Sequence, residues 1–245
     1  MSDAVSRIAQ AYPDRIEVRG RDLTSELMGR LSFTAYAHLL LTGKEATDDQ
    51  RFFLDLLLVA IAEHGLMPSN VAARMTLAAD PSSVQGAVAA GILGAGPVVL
   101  GAAGECAKLL ASDEEPMEIA RRMLAAGERV PGVGHPLHKP VDPRAERILE
   151  LADERGVSGR HVRRARGLHE AVAEVSGKPL AMNVALPSAA VMLDLGYPLA
   201  AVKAVPILAR TAGLLAHLLE EQERPLGLLL AAKAEEAVTY DPERL

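Results

Sequence analysis

Pro131-Gly132-Val133-Gly134-His135-Pro136-Leu137-His138-Lys139-Pro140-Val141-Asp142-Pro143-Arg144 is the stretch on which the fold turns. Two closely spaced glycines lead into a histidine. Asp142-Pro143 then predicts a helix start, because Asp is a favoured N-cap and proline fits the first helical position. His135 is thereby placed on a loop, and Arg144 in the first turn of a helix, near its positive end. Both would suit an anionic ligand with an oxygen that needs a proton or a hydrogen bond. Taken alone, the segment reads equally well as a Gly/Pro-rich turn with a surface arginine.

Outward from this loop the pattern is helical. Thr47-Asp48-Asp49-Gln50 is a capping-box pattern, and the apolar run Arg51 to Ala62 predicts a central buried helix ending near Gly65. Ser82-Ser83-Val84-Gln85 repeats the signal and opens a Gly/Ala segment. Further helices are predicted from Glu118 to Leu124 (closed by Gly127), Pro143 to Arg155 (Gly156), Val162 to Val175 (Gly177) and Pro187 to Leu195 (Gly196). A longer one spans Leu199 to Glu223, with Pro206 as a break or kink. Val/Ile/aromatic alternation is absent, so no strand is predicted. The expected class is all-α. The charged middle and apolar flanks suggest a large helical domain from residues 1–104 plus 196–245, and a small one, 105–195, carrying the His135 loop.

Composition bounds the function. The 245 residues are 49% hydrophobic and only 3% aromatic, with net charge −6. That balance argues against nucleic acid as a main partner. The basic run Arg160, His161, Arg163, Arg164 and Arg166 is expected to be a solvated helical face, with contact to a phosphate-bearing cofactor as the alternative. The single cysteine, Cys106, permits no disulfide and is expected to be a buried small residue. Gly86 to Gly104 is long and uncharged, but its Gly/Ala content and Pro97 favour a tight packing seam over a membrane span. MSDAVSRIAQ has no signal-peptide pattern. The expected setting is cytoplasmic. No histidine or carboxylate cluster has metal-ligand spacing, so no metal is expected.

Several segments, in order, carry a resemblance to the citrate synthase superfamily, including its short citryl-CoA lyase branch and the C-terminal module of ATP-citrate lyase. They are Glu63-His64 with a following Ala-Arg; Gly96-Pro97 to Glu105; Pro131 to His135 with Asp142-Pro143-Arg144; Lys178 to Val184; Leu208 to Gly213; and Glu223-Arg224-Pro225. The resemblance implies an all-helical, two-domain, dimeric citrate synthase-like subunit with its active site between the domains. It implies coenzyme A and a keto- or hydroxy-polycarboxylate as ligands. Residue by residue, it implies that His64 contacts the acid, that His135 bonds to its keto oxygen, and that Arg144, Arg210 and Arg224 bind carboxylates. Arg224 would be the arginine donated across a homodimer. Val130, Gly132, Val133 and Gly134 would contact coenzyme A, with Lys178 and Asn183 near the thioester. Forked guanidiniums suit carboxylates, and a cationic site stabilises an alkoxide.

Two positions depart from the family. Its Asn-Val-Asp carboxylate base reads Asn183-Val184-Ala185 here. The histidine that stabilises the enol oxygen aligns with Leu100. Alanine accepts no proton and leucine donates no hydrogen bond. A general base is worth roughly 10²–10⁴-fold in rate. The expectation is an enzyme making or cleaving a citrate-like C–C bond with weak acetyl-CoA activity, His135 taking the hydroxyl proton in the cleavage direction. The alternatives are a related enzyme with a different nucleophile, or a non-catalytic acid-binding subunit. Neither Glu105 nor Asp194 is expected to replace the missing base. His38 is expected to be a packed helical histidine, and His161 and His169 to be solvated. His217, seven residues after Arg210, shares its face.

Overall fold

The computed structural model describes residues 4–96 and 100–242; Pro97 lies outside them. The chain is mostly helical. Eleven α-helices are named here: α1 (Phe33–Thr42), α2 (Asp48–Ala62), α3 (Pro68–Ala79), α4 (Val84–Ala95), α5 (Ala102–Ala111), α6 (Pro116–Ala125), α7 (Pro143–Glu154), α8 (Arg160–Ser176), α9 (Ala185–Asp194), α10 (Leu199–Glu223) and α11 (Gly227–Glu236). Strands are present after all. β1 (Ala9–Ala11), β2 (Ile16–Val18) and β3 (Arg21–Asp22) form an antiparallel meander that leads into a π-helical turn at Leu23–Leu27. Strands of two or three residues are too short to show alternation.

Local signals place most helix ends. Thr47 N–H donates to Gln50 Oε1 (2.9 Å) and Gln50 N–H to Thr47 Oγ (3.2 Å), the reciprocal capping box. The second expected box does not form. Ser82 instead donates its N–H and its hydroxyl to Asp80, and α4 starts after Ser83 without a side-chain cap. Helices α6 to α9 are followed by Gly127, Gly156, Gly177 and Gly196, all at positive φ. Helix α2 is one-sided, not buried throughout: Phe53, Leu54, Leu57 and Ile61 are buried, while Val59 is exposed. Helix α10 runs through Pro206 without ending. It is long and apolar enough to cross a membrane by length and composition, but it carries buried Arg210 and Glu221.

The chain forms two compact units: Met1–Leu57 with Ala103–Val205, and Leu58–Ala102 with Pro206–Leu245. This differs from the expected 1–104/196–245 and 105–195 partition, because long-range contacts outweigh the charge pattern. His38 Nδ1 and the Tyr197 hydroxyl share a 2.8 Å hydrogen bond. Gln50 Nε2 donates to Leu195 O (2.9 Å), and Arg155 pairs with Asp49 at 2.7 Å. The N-terminal 57 residues therefore belong with the middle of the chain. The core of this unit is made by α6, α7, α8 and α9, through residues such as Ile119, Ile148, Leu168 and Leu186.

The second unit packs α3 against α4, and α11 against α3. Its core holds Ala73, Leu77, Ala87, Leu214 and Leu218. The Gly/Ala segment is a seam here, as expected. A Cβ on Gly91 would come within 2.7–3.0 Å of Leu214 and of Ser69 O. Small residues let these backbones approach where a larger side chain would separate them.

Candidate functional site

In the first unit the glycine loop is a braced ladder. Gly132 has φ +82°, and a Cβ there would lie 2.5 Å from Leu186 Cβ and 2.8 Å from Cys106 Sγ. No other residue fits without displacing that wall. Cys106 is fully buried, as expected, and burial pushes its thiol pKa up. Val133 bridges Met182; Gly134 N–H donates to Ala181 O (2.7 Å) and Asn183 N–H to Gly132 O (2.9 Å). The Asn183 side chain engages at both ends. Its Nδ2 donates to Gly134 O (2.9 Å), and its Oδ1 accepts from Ala185 N–H (3.0 Å). Asn183 thus braces the loop and starts α9. Val130 is buried beneath the loop and Lys178 is exposed.

His135 follows on this ladder. Its Nδ1 accepts from Leu137 N–H (3.1 Å) and His138 N–H (2.9 Å). Backbone amides can only donate, so the neutral ring carries its proton on Nε2. Desolvation, then the His138 and Arg144 charges, lower its pKa against the pull of Asp142. Neutral His135 is therefore a hydrogen-bond donor at Nε2. In this tautomer the lone pair is on Nδ1 and faces the loop amides.

Arg144 sits where the cap predicted. Asp142 is fully buried and accepts four hydrogen bonds: Arg144 N–H (3.1 Å), Arg144 Nε (3.0 Å), Arg144 Nη2 (2.9 Å) and Val184 N–H (3.1 Å). Burial alone would raise its pKa; the Arg144 hydrogen bonds and charge, with the two amides, more than reverse that and hold it low. Asp142 grips one edge of the guanidinium and leaves the Nη1 edge for a second acceptor. Through Val184 it also fixes Arg144 relative to position 185. His135, Arg144 and Ala185 are thus brought into one hydrogen-bonded frame.

The second unit holds another polar cluster, which sequence reasoning found only in part. Arg210 is buried, with Nη1 3.4 Å from Asn70 Oδ1 and 3.9 Å from Glu63 Oε2. Glu63 accepts from the His64 and Gly65 amides (2.8 and 2.6 Å) and lies 3.1 Å from His217 Nε2. Burial would raise its pKa, but His217 and those amides lower it. Fully buried Arg74 donates Nε to His217 Nδ1 (3.0 Å) and Nη1 to Glu221 (2.8 Å), and also pairs with Glu220. Since Arg74 donates to Nδ1, neutral His217 holds its proton on Nε2, facing Glu63. The missed signal was the 217, 220, 221 spacing on one face of α10 opposite a lone arginine. His64 is partly buried beside Glu63, and Arg224 is exposed near the end of α10.

Of the two positions that depart from the family pattern, Ala185 is the first residue of α9, and Leu100 is buried. Glu105 pairs with Lys108 (2.8 Å). Asp194 caps α8, accepting from the amides of Gly159, His161 and Val162. Both carboxylates are thus engaged by partners within the fold. His161 is not simply solvated: its Nδ1 lies 2.8 Å from Asp194, while His169 Nε2 donates to Leu180 O (2.7 Å).

Residues 4–227 match the family described as citrate synthase, C-terminal domain. The chain belongs to the citrate synthase family. Within that family it is 30% identical over 193 residues to a citrate synthase from Haloferax volcanii, covering 75% of this chain and 50% of that one. It is 27% identical over 215 residues to one from Saccharolobus solfataricus, covering 81% and 57%. The chain thus spans about half the length of these curated relatives. Its fold is similar to that of citryl-CoA lyase from Hydrogenobacter thermophilus, with a TM-score of 0.87 and 28% identity, over 99% of this chain and 96% of that one. It also shares the fold of ATP citrate lyase from Methanothrix soehngenii, solved with citrate and coenzyme A (TM-score 0.81, 20% identity, 100% and 42% coverage).

Proposed function

We propose that this citrate synthase family member binds a citrate-like polycarboxylate and a coenzyme A thioester, and makes or cleaves the C–C bond of a citryl-CoA-type substrate. The observation that carries this reading is the frame around Asp142. It holds a cationic Arg144 and a neutral, Nε2-protonated His135 in fixed relation to position 185. A neutral imidazole donor polarises a keto carbonyl without delivering its proton, and preorganised donors are worth most where charge develops. Arg144 takes one carboxylate through its Nη1 edge. Arg210 takes another, with Arg224 supplied by a second copy in a homodimer. His64 bonds to the acid. The 130–134 loop and Lys178 receive coenzyme A, with Asn183 bracing that loop. The setting is the cytoplasm.

Ala185 and Leu100 favour a second reading beside the first: a family enzyme whose nucleophile needs no enolising base, such as one generated by decarboxylation. Acetyl-CoA chemistry is then weak. The test is a thermal shift with oxaloacetate, citrate and coenzyme A, followed by citryl-CoA cleavage with His135→Ala as control. A carboxylate-dependent shift and turnover lost in His135→Ala support the proposal. No stabilisation by any of the acids sinks it. Stabilisation without citryl-CoA turnover selects the second reading.

A further inference from the structure

The basic run at the start of α8 is not absorbed by that function. Arg160, Arg163 and Arg164 fall at i, i+3 and i+4, so they share one helix face. They line an open cavity of about 470 Å³ in the first unit, together with Ser112, Asp113, Glu115 and Pro116. Arg164 is tethered: its Nη2 donates to Glu114 O (2.6 Å), while its buried Nε has no hydrogen-bond partner. Arg160 and Arg163 are exposed and form no ion pair among the described residues, although Asp113 and Glu115 line the same cavity. Other arginines of this unit, including Arg122, Arg144, Arg147, Arg155 and Arg166, are paired with carboxylates. Three guanidiniums without a carboxylate partner among the described residues thus line one cavity.

We propose that this cavity binds a phosphate-bearing small molecule that also carries hydroxyl groups. Planar guanidiniums at this spacing bind phosphoryl oxygens two-pronged, as lysines could not. Asp113, Glu115 and the Ser112 hydroxyl, which line the same cavity, accept hydrogen bonds from ligand hydroxyls. The volume is in the range of small-molecule sites, and the open mouth leaves part of a bound ligand in solvent. Asp194 satisfies the amides at the start of α8, so side chains, not the helix terminus, supply the anion contacts. The site shares no residue with the loop or the arginines assigned above, so the two proposals stand or fall separately.

The probes are inorganic pyrophosphate and ribose 5-phosphate, titrated calorimetrically into the full chain. Saturable binding is expected, weakened at least tenfold in Arg160→Ala/Arg163→Ala and unchanged in Arg147→Ala, a surface arginine of the same unit. Asp113→Asn/Glu115→Gln should weaken ribose 5-phosphate but not pyrophosphate. Circular dichroism checks that each variant is folded; Arg160→Lys/Arg163→Lys keeps the charge and should still lose affinity. No saturable binding of either probe by the wild type overturns the proposal, as does equal affinity in the double alanine variant.

Discussion

Removing the Asp142 carboxylate is the sharpest test of the site's architecture. In Asp142→Ala three things are lost together. The N-cap of α7 disappears, at about 1 kcal/mol. Val184 N–H loses its partner at the start of α9. The Arg144 guanidinium, only 21% exposed, keeps its charge without its counterion. Breaking a fully buried pair from one side costs about 3–5 kcal/mol. Partial access of Arg144 to water lowers that share, so about 3 kcal/mol is expected in all. Asp142→Asn keeps a capping oxygen and should cost about half as much.

The assay is urea denaturation at pH 7, repeated across the acid range. The sign follows from linkage. A carboxyl whose folded pKa lies below its unfolded value stabilises the fold above the unfolded pKa, and that contribution fades as pH falls through the folded one. The gap between wild type and Asp142→Asn should therefore be widest above about pH 5 and narrow below about pH 4. A cost in Asp142→Ala of about 1 kcal/mol or less, no more than an ordinary cap, would show that the buried pairing with Arg144 does not hold the frame together. A gap independent of pH would show that the carboxylate's charge is not what matters.

Three further outcomes are expected. Gly132→Ala must strain a positive φ and push Leu186 and Cys106 aside; about 2–4 kcal/mol of stability should be lost on melting, and unchanged stability would disprove the close packing. Burial lowers the His38 pKa; as pH falls below the unfolded value of about 6.5, the unfolded chain takes up a proton that the folded chain resists. The melting temperature should then drop between pH 7 and 5, with a shallower slope in His38→Gln; equal slopes refute it. Leu100→His with Ala185→Asp should raise deuterium exchange from the methyl group of acetyl-CoA, followed by NMR, at least tenfold; no gain would mean that the thioester pocket differs beyond those two positions.

What the sequence made legible was mostly local. Thr47 and Gln50 are three residues apart, and Asp142 caps a helix two residues away, so both helix starts are written in short words. The glycines after α6 to α9 are read the same way. Where a competitor sat nearby, the local signal misled: Asp80 takes Ser82 before Gln85 can answer it. Partners distant in the chain were not legible at all. His161 looked solvated because Asp194 lies 33 residues away. The grouping of the first 57 residues with the middle of the chain was not legible, because His38 and Tyr197 meet across 159 residues. At the site, the types of His135 and Arg144 were readable, but the proton position on His135 was not. It depends on two backbone amides whose direction only the folded loop sets.

That dependence on folded geometry holds in each polar cluster. Each unit holds an arginine suited to a carboxylate, and each already has an internal carboxylate beside it: Asp142 against Arg144, and Glu63 near Arg210. The two pairings differ. Asp142 is inaccessible and doubly bonded to its arginine, so no ligand can replace it, and an external acid must use the remaining guanidinium edge. Glu63 is 43% exposed and 3.9 Å from Arg210, a loose contact in partial water and therefore weak. An incoming carboxylate can outcompete Glu63 for Arg210, but not Asp142 for Arg144. If both arginines bind the acid as proposed, Arg144 would set orientation through its remaining edge, while Arg210 would supply charge that is exchanged on binding. Glu63→Gln should accordingly tighten citrate binding measured by calorimetry, whereas Asp142→Asn should weaken it by loosening the guanidinium. The opposite ranking would mean that the internal carboxylates do not play these separate parts.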